Sequence, residues 1–299
     1  MHQKKRKSLI KKNLTIASFI APFLIVFFMF TILPVISSML ISFTNFNMIQ
    51  LPRFVGFANY QRLFLGDDIF PIALRNTFVI AMITGPVSYI ACFAFAWLIN
   101  ELPRRPRSLM TLLFYAPVLA GNMFVIWTII FSGDTYGLLN GILMNTGIIV
   151  EPLQWLTDVR YMMVTVVIVV LWQSLGAGFL AFIAGLQTLD PALFESGAID
   201  GIKNRWQELY FITLPSIKPQ LMFGAVMSIT ASFGVGSVIS ALIPPPSTDY
   251  AVHTLVHHLE DYGGLRFEMG YAAAIATLLF TIMLLTNKLV QFLLGKLGN

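Results

Sequence analysis

Six long apolar runs, at about 16–43, 74–99, 108–131, 161–187, 219–243 and 270–294, alternate along the chain with shorter polar and charged segments. Each run exceeds the roughly 20 residues that a helix needs to cross a bilayer. The pattern predicts six transmembrane helices in an all-α polytopic membrane protein. Pro22, Pro34, Pro86 and Pro117 fall inside the runs. Neighbouring helices can satisfy the carbonyls that a proline frees, so these positions predict kinks rather than span ends. Composition agrees with the pattern, with 57% hydrophobic and only 11% charged residues and a mean hydropathy of +0.78. A soluble domain of this size has a different balance.

Orientation follows from the connecting segments. Fourteen Lys and Arg residues lie on one face, six of them before the first run, and five on the other: Arg53, Arg62, Arg75, Arg160 and Arg266. The positive-inside rule places both termini, and the segment around 190–219, in the cytoplasm. The net charge of +5 then reflects topology and contact with anionic lipid rather than nucleic acid. The basic start also resembles the first region of a signal peptide, but the apolar run that follows is far longer than a 7–15-residue signal core. A retained signal-anchor helix is expected.

Cys92 is the sole cysteine, which excludes an intrachain disulfide and a thiolate metal site. His253 and His257 are four apart and suit one helix face, a spacing open to a metal pair. Val252, Leu255, Val256 and Leu259 around them have helical spacing, and the reading adopted is an amphipathic helix lying in the membrane interface, with no metal. Apart from Lys288, close to the inner boundary of the last run, and Arg75 at the start of the second, the apolar runs carry no Asp, Glu, Lys, Arg or His. Proton- and ion-driven carriers keep such groups despite their cost. An outside energy source and a neutral, polar cargo are therefore expected. The polar groups at membrane depth are hydroxyls and amides near aromatic rings: Asn122 with Trp127; Trp172, Gln173 and Ser174; Ser228, Thr230, Ser232 and Ser237. No G-x-x-x-x-G-K-[S/T] loop is present, so the chain binds no nucleotide by that route. Nor is there a catalytic set of carboxylates or a Ser/His/Asp arrangement, and an enzyme is not expected.

One hydrophilic segment is organised differently from the rest. In ESGAIDGIKNRWQELYFITLPSIKP, from Glu195 to Pro219, a short helix started by Asp190-Pro191 is expected to end at Gly201 in a left-handed conformation. A second helix is expected over Lys203 to Tyr210, before Pro215 and Pro219 turn the chain back into the bilayer. Glu195, Ser196, Gly197, Asp200, Gly201, Ile212, Leu214 and Pro215 fall on the spacing of the EAA loop, and here the chain resembles the permease subunits of binding-protein-dependent ABC importers. The departures are Ser196 and Gly197 in place of two alanines and Ile202 in place of a third. AlaLeuArgAsnThr at 73–77, Tyr136 to Asn140, Gln154 to Leu156 and GYAAAIATLLF at 270–280 extend the resemblance toward the sugar-importing, maltose-permease F-type branch. ProProPro at 244–246 stands where that branch has a glycine-rich turn.

The resemblance implies a type I importer fold with a basic tail at 1–15, a first helix and outward loop at 16–73, a permease core at 74–294 and a tail at 295–299. It implies that Glu195, Ser196, Gly197, Asp200, Gly201, Ile212, Leu214 and Pro215 couple to a cytoplasmic ATPase. Trp172 matches a sugar-contacting tryptophan of the family, and Ser228 and Ser232 face the same cavity; polarity adds Gln173 and Asn122. The implied partners are a second homologous permease chain, two ATP-binding subunits that hold ATP and Mg, and an external solute-binding protein that delivers a sugar. This chain itself holds no cofactor, and its place is a bacterial cytoplasmic membrane. Within the class, a permease for peptides, amino acids or phosphate esters is the alternative, and an ion-coupled carrier stands further off.

Overall fold

The computed structural model describes residues 17–119 and 124–296. Asn122 and the basic segment before Ala17 lie outside the described residues. The helices are α1 (Ala17–Ile41), α2 (Ala58–Leu65), α3 (Phe70–Asn100), α4 (Arg104–Leu119), α5 (Phe124–Ile130), α6 (Leu138–Asn145), α7 (Val159–Gln173) and α8 (Ala177–Gln187). They are followed by α9 (Pro191–Ile199), α10 (Arg205–Glu208), α11 (Lys218–Phe233), α12 (Gly236–Leu242), α13 (Leu255–Glu260) and α14 (Met269–Gly295). Among the described residues no strand forms beyond an isolated antiparallel bridge between Thr44 and Phe54.

Four stretches are long and apolar enough to span a membrane alone: α1, α3, α7 with α8, and α14. The total reaches six when α4 with α5, and α11 with α12, each count as one broken span. The break between α11 and α12 bends the axis by 45°. It falls at Gly234, whose N–H is shared between the carbonyls of Thr230 and Ala231 at 3.2 Å each, as at a fraying helix end.

The four prolines lie within helices, as expected, and one of them shows how. Phe28–Ile32 forms a π turn in which the Leu33 N–H reaches back to Phe28 O, and Pro34 follows at once. The same device recurs at Leu209–Thr213, where the Leu214 N–H bonds Leu209 O just before Pro215. Proline lacks an N–H and its ring crowds a carbonyl of the preceding turn, and the wider π turn relieves both.

The chain forms two compact units. One takes the described residues up to Gly66 together with Leu259–Leu278. There Arg62 pairs with Glu268 and its guanidinium lies 4.3 Å from the Tyr271 ring centre. Asn59 donates to the carbonyls of Ser42 and Thr44, both at 2.8 Å.

The other unit takes Asp67–His258 and the described residues from Leu279. Its interior is built from α3, α8 and α11: Cys92, Ala96, Ile99, Phe179, Phe182, Ile183, Leu186, Ile217 and Leu221 form one buried cluster. A second cluster joins Ile80 of α3 with Met162, Val166 and Val169 of α7 and Ile239 and Leu242 of α12. Glycines allow the close approach, with Gly178 of α8 set against the backbone of Gly224 in α11, as small residues do where membrane helices cross.

One expectation is overturned. The segment around His253 is not an amphipathic interfacial helix: Val252, Leu255, His253, His257 and His258 are all buried. Their polar atoms find partners on α3 and α12, so the apolar spacing served packing against protein instead of lipid. Among the described residues no group of His, Cys, Asp or Glu is arranged to hold a metal ion.

Candidate functional site

Two features stand out, a helical elbow and a cavity that sets a few polar groups on mostly apolar walls. In the elbow, Asp190 caps α9 by accepting a hydrogen bond from the Ala192 N–H at 2.9 Å, and Pro191 occupies the first turn, where its missing donor costs nothing. The helix stops at Gly201, whose φ of +95° is open to glycine alone without strain. The Ile202 N–H then returns to Gly197 O at 2.9 Å.

The following helix is shorter than the expected 203–210. It begins after Asn204, which accepts from the Gln207 N–H at 2.9 Å, while Gln207 accepts from the Lys203 N–H at 2.8 Å. This reciprocal capping sets the start at Arg205, and the π turn at Leu209 replaces the expected α-helical end.

The elbow has an inner and an outer side. Gly197 is buried, and a Cβ there would stand 2.7 Å from Ile212 Cδ1 and 3.1 Å from Ile202 Cδ1. Gly197 and Ile212 therefore lock the two arms together. Ala192, Glu195, Ser196 and Ile199, at the i, i+3, i+4, i+7 spacing of one helix face, are all exposed, as are Asp200, Gly201 and Pro215. Ile199 is 87% exposed. Leu214 packs beneath, against the buried cluster of α3, α8 and α11.

The elbow is also tied to the end of α3. Arg205 lies 3.5 Å from Glu101 and 3.0 Å from Glu208, and the rings of Trp97 and Trp206 are 5.5 Å apart. The Ile217 side chain, 1% exposed, anchors the return into α11.

The cavity holds about 320 Å³ and lies among α3, the break between α7 and α8, and α11. The break consists of Ser174, Leu175 and Gly176. Ser174 returns its hydroxyl to Leu171 O at 2.6 Å and the Gly176 N–H bonds Ser174 O at 2.8 Å. Gln173, Ser228 and Ser232 line this cavity together. Trp172 does not: it lines a neighbouring space of about 500 Å³ with Phe95, Phe114 and Pro117 and packs edge-on against Trp127 at 5.3 Å.

Ser228 donates to Gly85 O at 2.8 Å and sits 2.9 Å from the Ser88 hydroxyl, whereas Ser232 bonds its own helix at Ile229 O. Thr84, Ser88 and Tyr89 of α3 complete the polar lining and were not singled out from sequence. The signal was present in Thr77, Thr84 and Ser88, spaced by seven and four on one buried helix face. No Asp, Glu, Lys, Arg or His is among the lining residues. The chamber sets a few hydroxyls and an amide on mostly apolar walls, a lining suited to an uncharged molecule that can hydrogen-bond.

Apolar helices long enough to span a membrane, an uncharged chamber among them and an exposed elbow packed onto α3 suit a transport subunit. No family model matches the chain, but individual proteins do along nearly its whole length. The probable ABC transporter permease protein YesP of Bacillus subtilis is 29% identical over 285 residues, 94% of this chain and 90% of that one. The arabinooligosaccharides transport system permease protein AraP of the same species is 29% identical over 93% of this chain and 88% of its own length. Among solved structures, a chain of a bacterial alginate ABC transporter, in complex with a periplasmic protein bound to alginate pentasaccharide, superposes with a TM-score of 0.75 at 21% identity, over 94% of both chains. Over nearly its whole length the chain is thus similar to permease subunits of ABC importers.

Proposed function

We propose that this permease lines half of the path by which a neutral sugar or oligosaccharide enters a bacterial cell, and that α9 is the lever that couples the path to ATP hydrolysis. The cargo class is supported by the names of relatives such as the arabinooligosaccharide permease and by the absence of charge from the cavity lining. The observation that carries the coupling role is the exposed face of Ala192, Glu195, Ser196 and Ile199 on a helix whose other side is locked to Ile212.

In this reading a loaded solute-binding protein docks on the outer loops. Two ATP-binding subunits, which hold ATP and Mg, grip the elbow, and a second permease chain supplies the other half of the chamber. Closure of the ATPases holds the pair open outward; hydrolysis releases the elbows and rocks the helices inward. The chain contributes no catalytic group. Its termini and elbow face the cytoplasm, a topology supported by the fourteen-to-five distribution of Lys and Arg.

The test is to tag the chain, extract it gently from its own membrane and identify what accompanies it by mass spectrometry. An ATPase and a second six-span permease are expected. Recovery of this chain alone, from membranes that contain the ATPases, would overturn the reading.

A further inference from the structure

Outside the elbow and the cavity, the segment after α12 brings three buried imidazoles together. His253, His257 and His258 are 5%, 4% and 1% exposed, and the His253 ring centre lies 5.6 Å from each of the other two. The segment is pinned to α3 by neutral side chains: Asn76 donates to Tyr250 O at 2.9 Å and His253 O at 3.0 Å. Thr77 Oγ1 accepts from the Leu255 N–H at 2.9 Å.

Two of the imidazoles have chemically different partners. His258 Nε2 is 2.9 Å from Asp67 Oδ2, a carboxylate whose other oxygen accepts from the N–H groups of Ile69 and Phe70 at 3.0 Å each. His257 Nδ1 lies 3.2 Å from the Thr254 N–H and 2.9 Å from its hydroxyl, and Nε2 is 3.1 Å from Ser240 Oγ. A backbone N–H only donates, so Nδ1 is a lone-pair acceptor and the ring proton sits on Nε2. A second proton has no place but Nδ1, where it would face the Thr254 N–H.

We propose that this cluster is an acid-released latch: protonation of His257 at Nδ1 breaks its bond to Thr254 and frees the segment 250–258 from α3 and α12. The titratable or charged groups around the ring are Asp67 from the turn before α3 and Tyr250, His253 and His258 from the segment itself. Among the described residues, the helices packed against it contribute neutral groups, Ser240 and the Gly236 backbone on α12 and Asn76 and Thr77 on α3. No carboxylate is hydrogen-bonded to His257 to balance its charge. Burial accordingly pushes its imidazole below the ordinary value of 6.5, against a weaker upward pull from the Gly236 backbone.

The sign follows from linkage. The latched form keeps His257 neutral and the released form takes up the proton with the ordinary value, so the latch is fully closed above that value and loses hold as pH falls below it. Between pH 7.5 and 5.5 a single such group raises the opening equilibrium about tenfold.

The test uses the full chain in lipid nanodiscs and holds whatever the protein transports. Amide exchange of peptides covering 250–258 is followed by mass spectrometry at pH 7.5 and 5.5, corrected for the intrinsic effect of pH on exchange. About tenfold loss of protection is expected in the wild type. His257→Asn, whose side-chain oxygen can accept from Thr254 without titrating, should flatten the response, and His258→Gln should retain it. No loss of protection in the wild type overturns the latch, as does an undiminished response in His257→Asn or its disappearance in His258→Gln. Should His257→Asn not fold, the wild type and His258→Gln decide.

Discussion

Gly224 allows a sharp test of how α8 and α11 meet. An alanine Cβ there would stand 2.7 Å from Phe182 Cε1 and closer still to Cζ. The ring has nowhere to go: it is fully buried and is held edge-on by Tyr89 at 5.6 Å and Phe93 at 5.7 Å. Overpacking of this kind costs roughly 1–3 kcal/mol, against a gain of about 1 kcal/mol in helix propensity for Gly→Ala.

The net destabilisation of Gly224→Ala should therefore reach up to about 2 kcal/mol. At roughly 2–4 °C per kcal/mol the melting midpoint falls by several degrees. Gly178 is the control, because a Cβ there would meet the Gly224 Cα at an ordinary 3.5 Å, and Gly178→Ala should leave stability unchanged or raise it. The clash belongs to one ring, so Phe182→Leu combined with Gly224→Ala should lose less than the sum of the two single changes. The assay is the melting midpoint of the purified chain in detergent, read by size-exclusion chromatography after heating. Gly224→Ala melting at or above wild type, or a double variant that loses the full sum, would refute the reasoning.

Asn140 is fully buried; its amide donates to Ser132, Asp134 and Leu153 carbonyls and its oxygen accepts from Leu153 N–H and Trp155 Nε1. Asn140→Ala strands these groups and should cost about 2–4 kcal/mol, the amide's two N–H groups and two lone pairs making at most four full bonds at roughly 0.5–1 kcal/mol each, seen as a lower melting midpoint and a red-shifted Trp155 emission. Gly201→Val forces a β-branched residue to φ +95° and should lower the yield of coupled transport without affecting membrane insertion; normal uptake at normal expression speaks against the elbow's role. Glu195→Lys, a change confined to an exposed position, should abolish transport and stimulated ATP hydrolysis while the melting midpoint stays at the wild-type value.

The spans were legible because an apolar run long enough to cross a bilayer has few alternatives. The start and stop of α9 were equally so, since Asp190-Pro191 and Gly201 act within a turn of their own positions. The break at Ser174–Gly176 was not legible. It contains no proline, and a serine that returns its hydroxyl to the preceding turn looks in sequence like any other helical serine. That break also turns Trp172 away from the space that Gln173 faces, a difference of one residue that no spacing rule resolves. The lining from α3 was missed for a related reason: Thr84 and Ser88 are small polar residues of the sort that also fasten helices together, and only the crossing of α11 sets them at a cavity wall. The histidines were misread because apolar spacing reports a buried face without saying what buries it.

None of the most apolar window of α1 is buried within the described chain. An intrachain core constrains a side chain by volume and rotamer, and this span is under no such constraint over that window. What it must preserve is a length and a hydropathy, so its residues are interchangeable with other apolar ones in a way that those of α3 or α8 are not. Among the described residues, nothing sets a demand for a particular shape over that window.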